Sequence, residues 1–350
     1  MIMATSMTET AGSPRGAAGS ESELLLEVEN LNVEFRTRDG VINAVNGITY
    51  DLRAGETLAI LGESGSGKSV SAQAIMGILD SPPAFVTDGS IRFRGEDLLQ
   101  MPEDERRKVR GRRIAMIFQD ALSALNPVFT VGDQIGEMFR VHQGASKKEG
   151  FDKAVELMDR VRIPTARQRV KDYPHQFSGG MRQRVMIAMA LSLEPDIIIA
   201  DEPTTALDVT VQAQIMELLS DLKTELDMGL ILITHDLGVV ADVADRIAVM
   251  YAGKIVESAP VHDIYAHPAH PYTEGLISSI PRVDMKGHKL TTISGQPPSL
   301  GNIPEGCSFH PRCHRRRDEV CIPKEPPLYD VTPGRKSACH FWEEVLNDHN

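Results

Sequence analysis

The sequence predicts an α/β fold, and three observations support this class. Short apolar runs at residues 57–61, 114–118, 197–200 and 230–234 have the length and composition of buried strands. A glycine-rich turn follows the first run and leads into helix formers at residues 70–79. The other three runs each end in polar side chains. We therefore expect a sheet that collects polar groups at one edge.

The glycine-rich turn consists of Gly62, Glu63, Ser64, Gly65, Ser66, Gly67, Lys68 and Ser69. This spacing is that of a phosphate loop, in which glycines allow backbone N–H groups to turn inward on an anion at a helix N-terminus. Lys68 is placed to reach the β/γ-phosphates, and Ser69 to hold Mg²⁺ through its hydroxyl. A turn without a ligand would not need the Lys-Ser pair, so a nucleotide site is predicted.

Composition restricts the class of protein further. The 350 residues include 49 acidic and 37 basic side chains, a net charge of −12, which gives no support to a nucleic-acid partner. We expect the basic run at residues 312–317 to be solvated surface. No apolar stretch approaches the roughly 18 residues that span a bilayer, and no apolar secretory core is present. A soluble, cytoplasmic chain that can dock on a membrane protein is expected.

The first part of the chain divides into a tail and a predicted antiparallel sheet. Residues 1–22 are small and polar without periodicity, so we expect disorder. Short strands are predicted at residues 25–28, 33–36 and 44–52. Phe35 lies in the second of them, where its ring could stack on a nucleotide base. Taken alone, ordinary core packing is the simpler interpretation of Phe35.

Two later positions face the expected cleft. Gln119 follows a buried strand, where a lone glutamine is usually structural. Ser178, Gly179 and Gly180 open a predicted helix at residues 181–193, and these small residues leave its N-terminus accessible to an anion. A capped helix start would explain this triplet equally well if it stood alone.

The remaining strand ends carry ionisable side chains. Asp201 and Glu202 are adjacent, and neighbouring strand residues face opposite ways, so they should have different tasks. Asp201 suits the Mg²⁺ shell, and Glu202 suits orienting or deprotonating a water. Asp208 leads into the next helix, and His235 follows the last of the four strands. Each strand end alone is weak evidence, but together these residues follow successive strands at one edge of the predicted sheet and so indicate a single site.

Taken together, these residues resemble the ATP-binding cassette family. Residues 24 to about 260 contain every family motif in order. The resemblance implies a P-loop ATPase with a RecA-like mixed sheet, an antiparallel β subdomain and an α-helical signature subdomain. It also implies three parts: a tail at 1–22, a nucleotide-binding domain at 23–260 with its helical subdomain at about 120–190, and a C-terminal extension at 261–350.

The resemblance implies a role for each motif, with ATP and Mg²⁺ as ligands. The implied ATP contacts are Phe35 at the adenine, residues 62–69 as the Walker A loop, Gln119 as the Q-loop, Ser178, Gly179 and Gly180 as the signature, Asp201 and Glu202 as the Walker B pair, Asp208 as the D-loop acid and His235 as the switch histidine. The implied Mg²⁺ ligands are Ser69, Gln119 and Asp201. One departure is Met181, since the fifth signature residue is usually Gln and its side-chain contact is lost here.

In this family ATP lies between the Walker A loop of one cassette and the signature of another. The chain has one copy of each motif, so a second cassette is implied, either itself or a paralogue. The implied chemistry is in-line attack of water on the γ-phosphate. Lys68 and Mg²⁺ would offset developing charge, Glu202 would polarise the water, and His235 would report the γ-phosphate.

The C-terminal part narrows the resemblance. Residues 267–273 and 293–300 look like the extension of oligopeptide/dipeptide and nickel permease ATPase subunits. Residues 119–131, which include residues 124–127, are also similar to that group, in the region where cassettes receive the membrane subunits. This implies two transmembrane permease subunits as partners, an extracytoplasmic solute-binding protein acting indirectly, and a peripheral location on the cytoplasmic face of the membrane. Peptides are the implied substrate, with nickel or another small solute as the alternative.

All four cysteines lie in the last 44 residues: Cys307, Cys313, Cys321 and Cys339, with five, seven and seventeen residues between them. Disulfides are disfavoured in a reducing cytoplasm, so a metal centre is the better interpretation. The C-x₂-C spacing of structural zinc sites is absent, so we expect a [4Fe–4S] cluster, as the permease resemblance also implies. We expect its role to be structural, because it lies outside every ATP motif.

Three alternatives stay open. Zinc could replace the cluster, with His310, His314 or His340 as substitute ligands. The chain could be a soluble cassette acting on DNA or ribosomes, although it lacks a coiled-coil insertion and a second motif set. A redox-sensing module without ATPase activity is the third, but such a module would not need Glu202 and His235.

Overall fold

The protein is seen in a computed structural model that describes residues 22–205, 207–280 and 293–348. The predicted disordered tail at residues 1–22 lies outside these ranges except for Ser22. None of the helices within the described ranges is both long and apolar enough to cross a membrane.

The strands, numbered in chain order, are β1 (Leu24–Thr37), β2 (Gly40–Arg53), β3 (Thr57–Leu61), β4 (Ala84–Phe93), β5 (Glu96–Asp97), β6 (Ile114–Ile117), β7 (Ile197–Asp201), β8 (Gly229–Thr234), β9 (Arg246–Tyr251), β10 (Lys254–Pro260), β11 (Tyr329–Thr332) and β12 (Arg335–Ser337).

The α-helices are α1 (Lys68–Met76), α2 (Glu103–Val109), α3 (Ala121–Ala124), α4 (Val131–Gln143), α5 (Lys147–Arg160), α6 (Ala166–Arg169), α7 (Gly179–Leu191), α8 (Val209–Leu226), α9 (Leu237–Val243), α10 (Val261–Ala266), α11 (Pro271–Ser278), α12 (Asp318–Cys321) and α13 (Trp342–Asn347). Helices α3 to α7 lie in sequence between β6 and β7, in the region where the sequence predicts a helical subdomain.

Two sheets are present in the described residues. The smaller is antiparallel, in the order β2-β1-β4-β5, and the larger has the order β11-β12-β10-β9-β3-β8-β7-β6. Strands β6, β7, β8, β3 and β9 are parallel, and the other pairings are antiparallel. The first two predicted strands are one strand, because β1 pairs with β2 through register shifts near Asn30 instead of ending there.

The parallel strands are buried on both faces, as their continuous apolar sequences predict. Alternate residues of β3 enter different cores: Leu58 and Ile60 pack towards the small sheet and α1, whereas Ala59 and Leu61 pack towards the helices that follow β6. This alternation holds the large sheet between two apolar layers and leaves its strand ends as the polar edge.

The C-terminal segment, defined here as residues 261–280 and 293–348, extends the large sheet. Strand β12 pairs with β10, and a buried ion pair joins them, with Arg335 Nη2 3.4 Å from Glu257 Oε1. Burial raises the pKa of Glu257 to about 7, while the Ala269 N–H and Arg335 oppose this shift. The segment is therefore anchored through a carboxylate whose charge depends on its partner.

We expect Arg335→Met to destabilise the protein by about 3 kcal/mol at about pH 8, and by less at about pH 5, because an unpaired buried carboxylate is costly only when charged. The pKa of Glu257 is raised on folding, so its contribution to stability is present at low pH and is lost as pH rises through about 7. The variant should lose more over this window. Urea unfolding followed by Trp342, the sole tryptophan, measures it.

Lys336→Met is the matched control, because the adjacent Lys336 makes an exposed pair with Asp330. It should change stability by less than about 1 kcal/mol at either pH. Equal losses in the two variants would contradict the anchoring role of Arg335.

Candidate functional site

The glycine-rich turn lies between β3 and α1, as predicted. Gly67 is the N-cap of α1 with φ of 102°, and no side chain caps this helix end. A Cβ at Gly67 would come within 2.3 Å of the Ala44 carbonyl oxygen, so the turn requires glycine there for both its φ and the close approach. The first N–H groups of the helix are left for an anion.

Lys68 is buried and bends back over its own loop. Its Nζ donates to the carbonyl oxygens of Gly62 at 2.8 Å and Glu63 at 3.0 Å. Burial lowers the pKa of Lys68, and the charges of Glu202, Asp201 and Glu63 partly oppose this. A cation held by carbonyls among three carboxylates is suited to exchange these acceptors for phosphate oxygens.

Ser69 and Asp201 meet directly beside Lys68. Ser69 Oγ donates to Asp201 Oδ1 at 3.0 Å. Burial raises the pKa of Asp201, with Glu202 adding to the rise and Ser69 and Lys68 opposing it. A hydroxyl and a buried carboxylate at this distance form an oxygen donor set that suits Mg²⁺.

Glu202 is the centre of a second cluster. Gln119 Nε2 donates to Glu202 Oε2 at 2.8 Å, and His235 Nδ1 lies 3.3 Å from Glu202 Oε1. The structure adds Thr205, whose hydroxyl donates to Glu202 Oε2 at 2.9 Å. Thr205 is not among the site residues predicted from the sequence. Its position three residues after Glu202 in a turn was the available signal.

Parallel pairing explains why these residues meet. The sheet order β3-β8-β7-β6 places the carboxyl ends of four strands side by side, and the phosphate loop, His235, the Asp201-Glu202 pair and Gln119 follow these ends. Glu202 has φ of 45°, and its N–H donates to Ile233 O at 2.8 Å. This turn directs Asp201 and Glu202 to different clusters.

The triplet Ser178-Gly179-Gly180 begins α7, and Ser178 Oγ caps it by accepting from the Met181 N–H at 3.4 Å. Asp208 caps α8 by accepting from the Val211 N–H at 3.0 Å. Both residues therefore have a capping role within the chain. In the described ranges no hydrogen bond joins the triplet to the phosphate loop.

Two further residues named from the sequence, Phe35 and Met181, contact neighbouring parts of their own subdomains. Phe35 is half-buried in β1, opposite Ile42 of β2, and packs on the core of the small sheet. Among the described residues, no contact of the Phe35 ring indicates a binding site for a nucleotide base. Met181, the departure in the signature, receives a hydrogen bond from Arg169 to its sulfur at 3.0 Å.

The C-terminal segment reaches the phosphate loop. Arg312 makes a two-pronged ion pair with Glu63, with N–O distances of 2.6 and 2.9 Å, and the Glu63 N–H donates to the Tyr272 hydroxyl at 2.9 Å. The prediction that the basic run is solvated surface is therefore wrong at Arg312, which has only 5% of its side chain exposed. Because Glu63 belongs to the phosphate loop, this contact joins the loop to the segment that contains the cysteines.

All four cysteines line one small cavity together with Phe309, Phe341, His270, His310 and His340. Burial raises the pKa of the Cys307 thiol, and raises that of Cys313 to about 11 and that of Cys339 to about 12. Over the described parts of the chain, however, no group of three or more histidine, cysteine or acidic side chains is arranged to hold a metal ion. The geometry thus gives the predicted cluster no support beyond the shared cavity.

The histidines named for a zinc site have other partners. His340 contacts Lys324 O at 3.0 Å and the Tyr329 hydroxyl at 3.4 Å through its two ring nitrogens. His314 is exposed and lies 3.4 Å from Glu274. His310 Nδ1 lies 2.9 Å from Cys307 O.

Two protein-family profiles match the chain. Residues 45–205 match the ABC transporter family, and residues 256–321 match the oligopeptide/dipeptide transporter C-terminal region.

Curated relatives match over most of their length. The chain is 50% identical to the oligopeptide transport ATP-binding protein OppD of Escherichia coli (strain K12) over 334 residues, which cover 95% of this chain and 97% of the relative. It is 55% identical to the dipeptide transport ATP-binding protein DppD of Bacillus subtilis (strain 168), over 84% of this chain and 88% of that one.

Solved structures share the fold. The ATP-binding cassette MJ0796, as a dimer in a post-hydrolysis state bound to ADP and Pi, matches with a TM-score of 0.61 and 28% identity, over 68% of this chain and 99% of that one. CbiO1 from Clostridium perfringens, part of the ABC transporter complex CbiONQ, matches with a TM-score of 0.59 and 29% identity, over 70% of this chain and 91% of that one. The likeness confirms the predicted phosphate-loop α/β fold.

We expect Gly67→Ala to destabilise the protein by about 2 kcal/mol more than Gly65→Ala, because only the former adds a backbone clash to the strain of positive φ. Gly65 has φ of 79° with nothing within 4 Å of a Cβ, and so is the matched control. Thermal unfolding of the nucleotide-free chain measures the difference. Equal losses would show that the approach of Gly67 to Ala44 does not constrain the loop.

Proposed function

Since this chain belongs to the ABC transporter ATP-binding proteins, in their oligopeptide/dipeptide group, we propose that it hydrolyses ATP to energise peptide import through a membrane permease. The observation that carries the proposal is that two polar clusters lie beside Lys68. In the first, Ser69 binds Asp201. In the second, Glu202 contacts Gln119 and His235. The relatives are named for oligopeptide and dipeptide transport, which favours peptides over nickel or another solute.

The phosphates of ATP would be held by the N–H groups of residues 62–69 and by Lys68. The adenine ring would stack on Phe35, which lies at the edge of its core with its ring half-buried. Lys68 would leave the Gly62 and Glu63 carbonyls and offset the charge on the β/γ-phosphates.

Mg²⁺ fits the donors that the chain provides. Ser69 and Asp201 supply a hydroxyl and a carboxylate oxygen 3.0 Å apart, and Gln119 would add an amide oxygen. When bound with ATP, the ion supplies positive charge near the transferring phosphoryl group.

Hydrolysis would depend on Glu202. Its carboxylate accepts from Gln119 and Thr205 and lies beside His235, so its position is determined before substrate arrives. From there it would orient a water and take its proton as that water attacks the γ-phosphate. Gln119 and His235 would contact the same phosphate, and His235 would report its presence.

A second cassette would complete each site, because no hydrogen bond among the described residues joins the signature to this chain's own phosphate loop. Ser178, Gly179 and Gly180 would face the ATP bound by the partner cassette, with Asp208 near the same contact. The helix start is suited to an anion through its N–H groups and dipole. The partner is a second copy or a paralogue.

Exposed apolar side chains follow β6: Phe118, Leu122, Val128 and Phe129. They lie on either side of residues 124–127, where the sequence resembles cassettes that receive membrane subunits. An exposed apolar surface of this kind is typical of a protein contact. The two permease subunits would dock here and hold the chain on the cytoplasmic face of the membrane, with the solute-binding protein on the opposite side.

The four cysteines would hold a [4Fe–4S] cluster in the C-terminal extension. The support is their approach to one cavity from four separate positions in the sequence. A sulfur-ligated cluster would also supply positive charge that allows buried thiols to ionise. Zinc on the same four sulfurs is the second candidate.

We expect Glu202→Gln to keep ATP binding but to lower kcat of the assembled complex by at least about a hundredfold, since it removes the proton acceptor and preserves shape. Glu225→Gln is the control, because Glu225 of α8 makes a surface ion pair with Arg160 of α5. Phosphate release in proteoliposomes, with peptide or Ni²⁺ uptake, is the measurement. Undiminished turnover in Glu202→Gln would contradict its role, and uptake of Ni²⁺ alone would contradict peptide transport.

Protein purified without oxygen should contain about four irons and four acid-labile sulfides per chain, and Cys321→Ser should lose them. His314→Gln is the control and should keep them, because His314 faces outward towards Glu274. Stoichiometric zinc without iron would contradict the [4Fe–4S] assignment and favour zinc on the same cysteines. A metal-free but fully folded segment would contradict both.

A further inference from the structure

One residue of the phosphate loop, Glu63, is held at three points. Its N–H donates to the Tyr272 hydroxyl, its carbonyl accepts from Lys68, and its carboxylate pairs with Arg312. Tyr272 and Arg312 both belong to the C-terminal segment. The loop conformation is therefore determined in part by residues more than 200 positions away in the sequence.

Arg312 is itself held in place completely. Its guanidinium donates to both carboxylate oxygens of Glu63, to the Tyr251 hydroxyl, and to the carbonyl oxygens of Ser294 and Gly295. These bonds use all five N–H donors of an arginine, which a lysine could not reproduce with its single ammonium group.

The aromatic side chains around Arg312 are buried. The rings of Tyr251, Tyr272 and Phe309 contact one another at centroid distances of 4.7 to 5.4 Å. Arg312 also directly precedes Cys313 of the cysteine cavity. The carboxylate of Glu63 is thus bound to a packed part of the segment, whereas its own loop contributes mostly glycine and serine.

The pair also cancels a charge. Glu63 lies close enough to Lys68 to influence it electrostatically. An unpaired carboxylate at this position would repel the phosphates of ATP, and the fixed guanidinium offsets that charge. The pair therefore acts on nucleotide binding through both geometry and charge.

We propose that Arg312 is a positioning residue for ATP: through Glu63, the C-terminal segment sets the conformation and charge of the phosphate loop, and thereby the affinity for the nucleotide. The inference rests on the proposed nucleotide site at residues 62–69. It assigns the segment a part in ATP binding in addition to any structural role.

The test is ATP affinity of the full chain, measured by titration calorimetry with Mg-ATP. Arg312→Met should weaken binding about tenfold, or ~1.4 kcal/mol. The double variant Glu63→Gln/Arg312→Met should bind more tightly than Arg312→Met alone, because the repelling carboxylate is gone. A merely structural role for Arg312 predicts that the double variant binds ATP no more tightly than Arg312→Met.

Arg315→Met is the matched control, because Arg315 makes a similar two-pronged contact with Glu274 inside the same segment, away from the loop. It should bind ATP as the wild type does. In the assembled complex, Arg312→Met should raise KM for ATP with little change in kcat, since it weakens ground-state binding.

Lys68→Ala separates failure of this inference from failure of the site. If Lys68→Ala loses ATP binding while Arg312→Met binds normally, the site stands and the inference is wrong. If Lys68→Ala also binds normally, the nucleotide site itself is wrong. Should Arg312→Met not fold, Arg312→Lys replaces it, with binding expected to be about threefold weaker. Unchanged affinity in Arg312→Lys would then overturn the inference.

Discussion

The parallel pairing of β7, β8 and β3 determines the geometry on which the candidate site depends. Ile60 lies beside Ile233, and Asp201 beside the same Ile233, so the phosphate loop and the two carboxylates leave the sheet at one level. A shift of one residue in either pairing would turn Asp201 away from Ser69. These strands are buried on both faces, so such a shift would also have to be accommodated by both apolar layers.

Charge is the second constraint. Lys68 and Asp201 are both buried, and each is stabilised in its charged form by the other while burial opposes it. The hydrogen-bond partners of the two side chains are the Gly62 and Glu63 carbonyls for Lys68 and the Ser69 hydroxyl for Asp201. These are neutral partners, which phosphates and a hard cation can replace without leaving a buried charge unpaired.

The C-terminal segment packs directly against the cassette. It adds β12 to the large sheet through β10, buries Glu257 with Arg335, and contacts the phosphate loop through Tyr272 and Arg312. One contact anchors the segment and the other reaches the loop. The pairing of β12 with β10 therefore also helps to hold Arg312, the partner of Glu63, beside the phosphate loop.

The sequence by itself determined the fold class, the phosphate loop and the strand-end residues, because each depends on local patterns: apolar runs, glycine spacing and polar residues at strand ends. It also determined that Glu202, Gln119 and His235 share an edge, since parallel strands bring their carboxyl ends together. It could not determine that Thr205 completes this cluster or that Arg312 reaches Glu63. Those contacts join residues whose side chains have ordinary surface character in the sequence. Only tertiary packing decides whether an arginine in a run with four other basic or histidine residues faces water or a carboxylate 249 positions away.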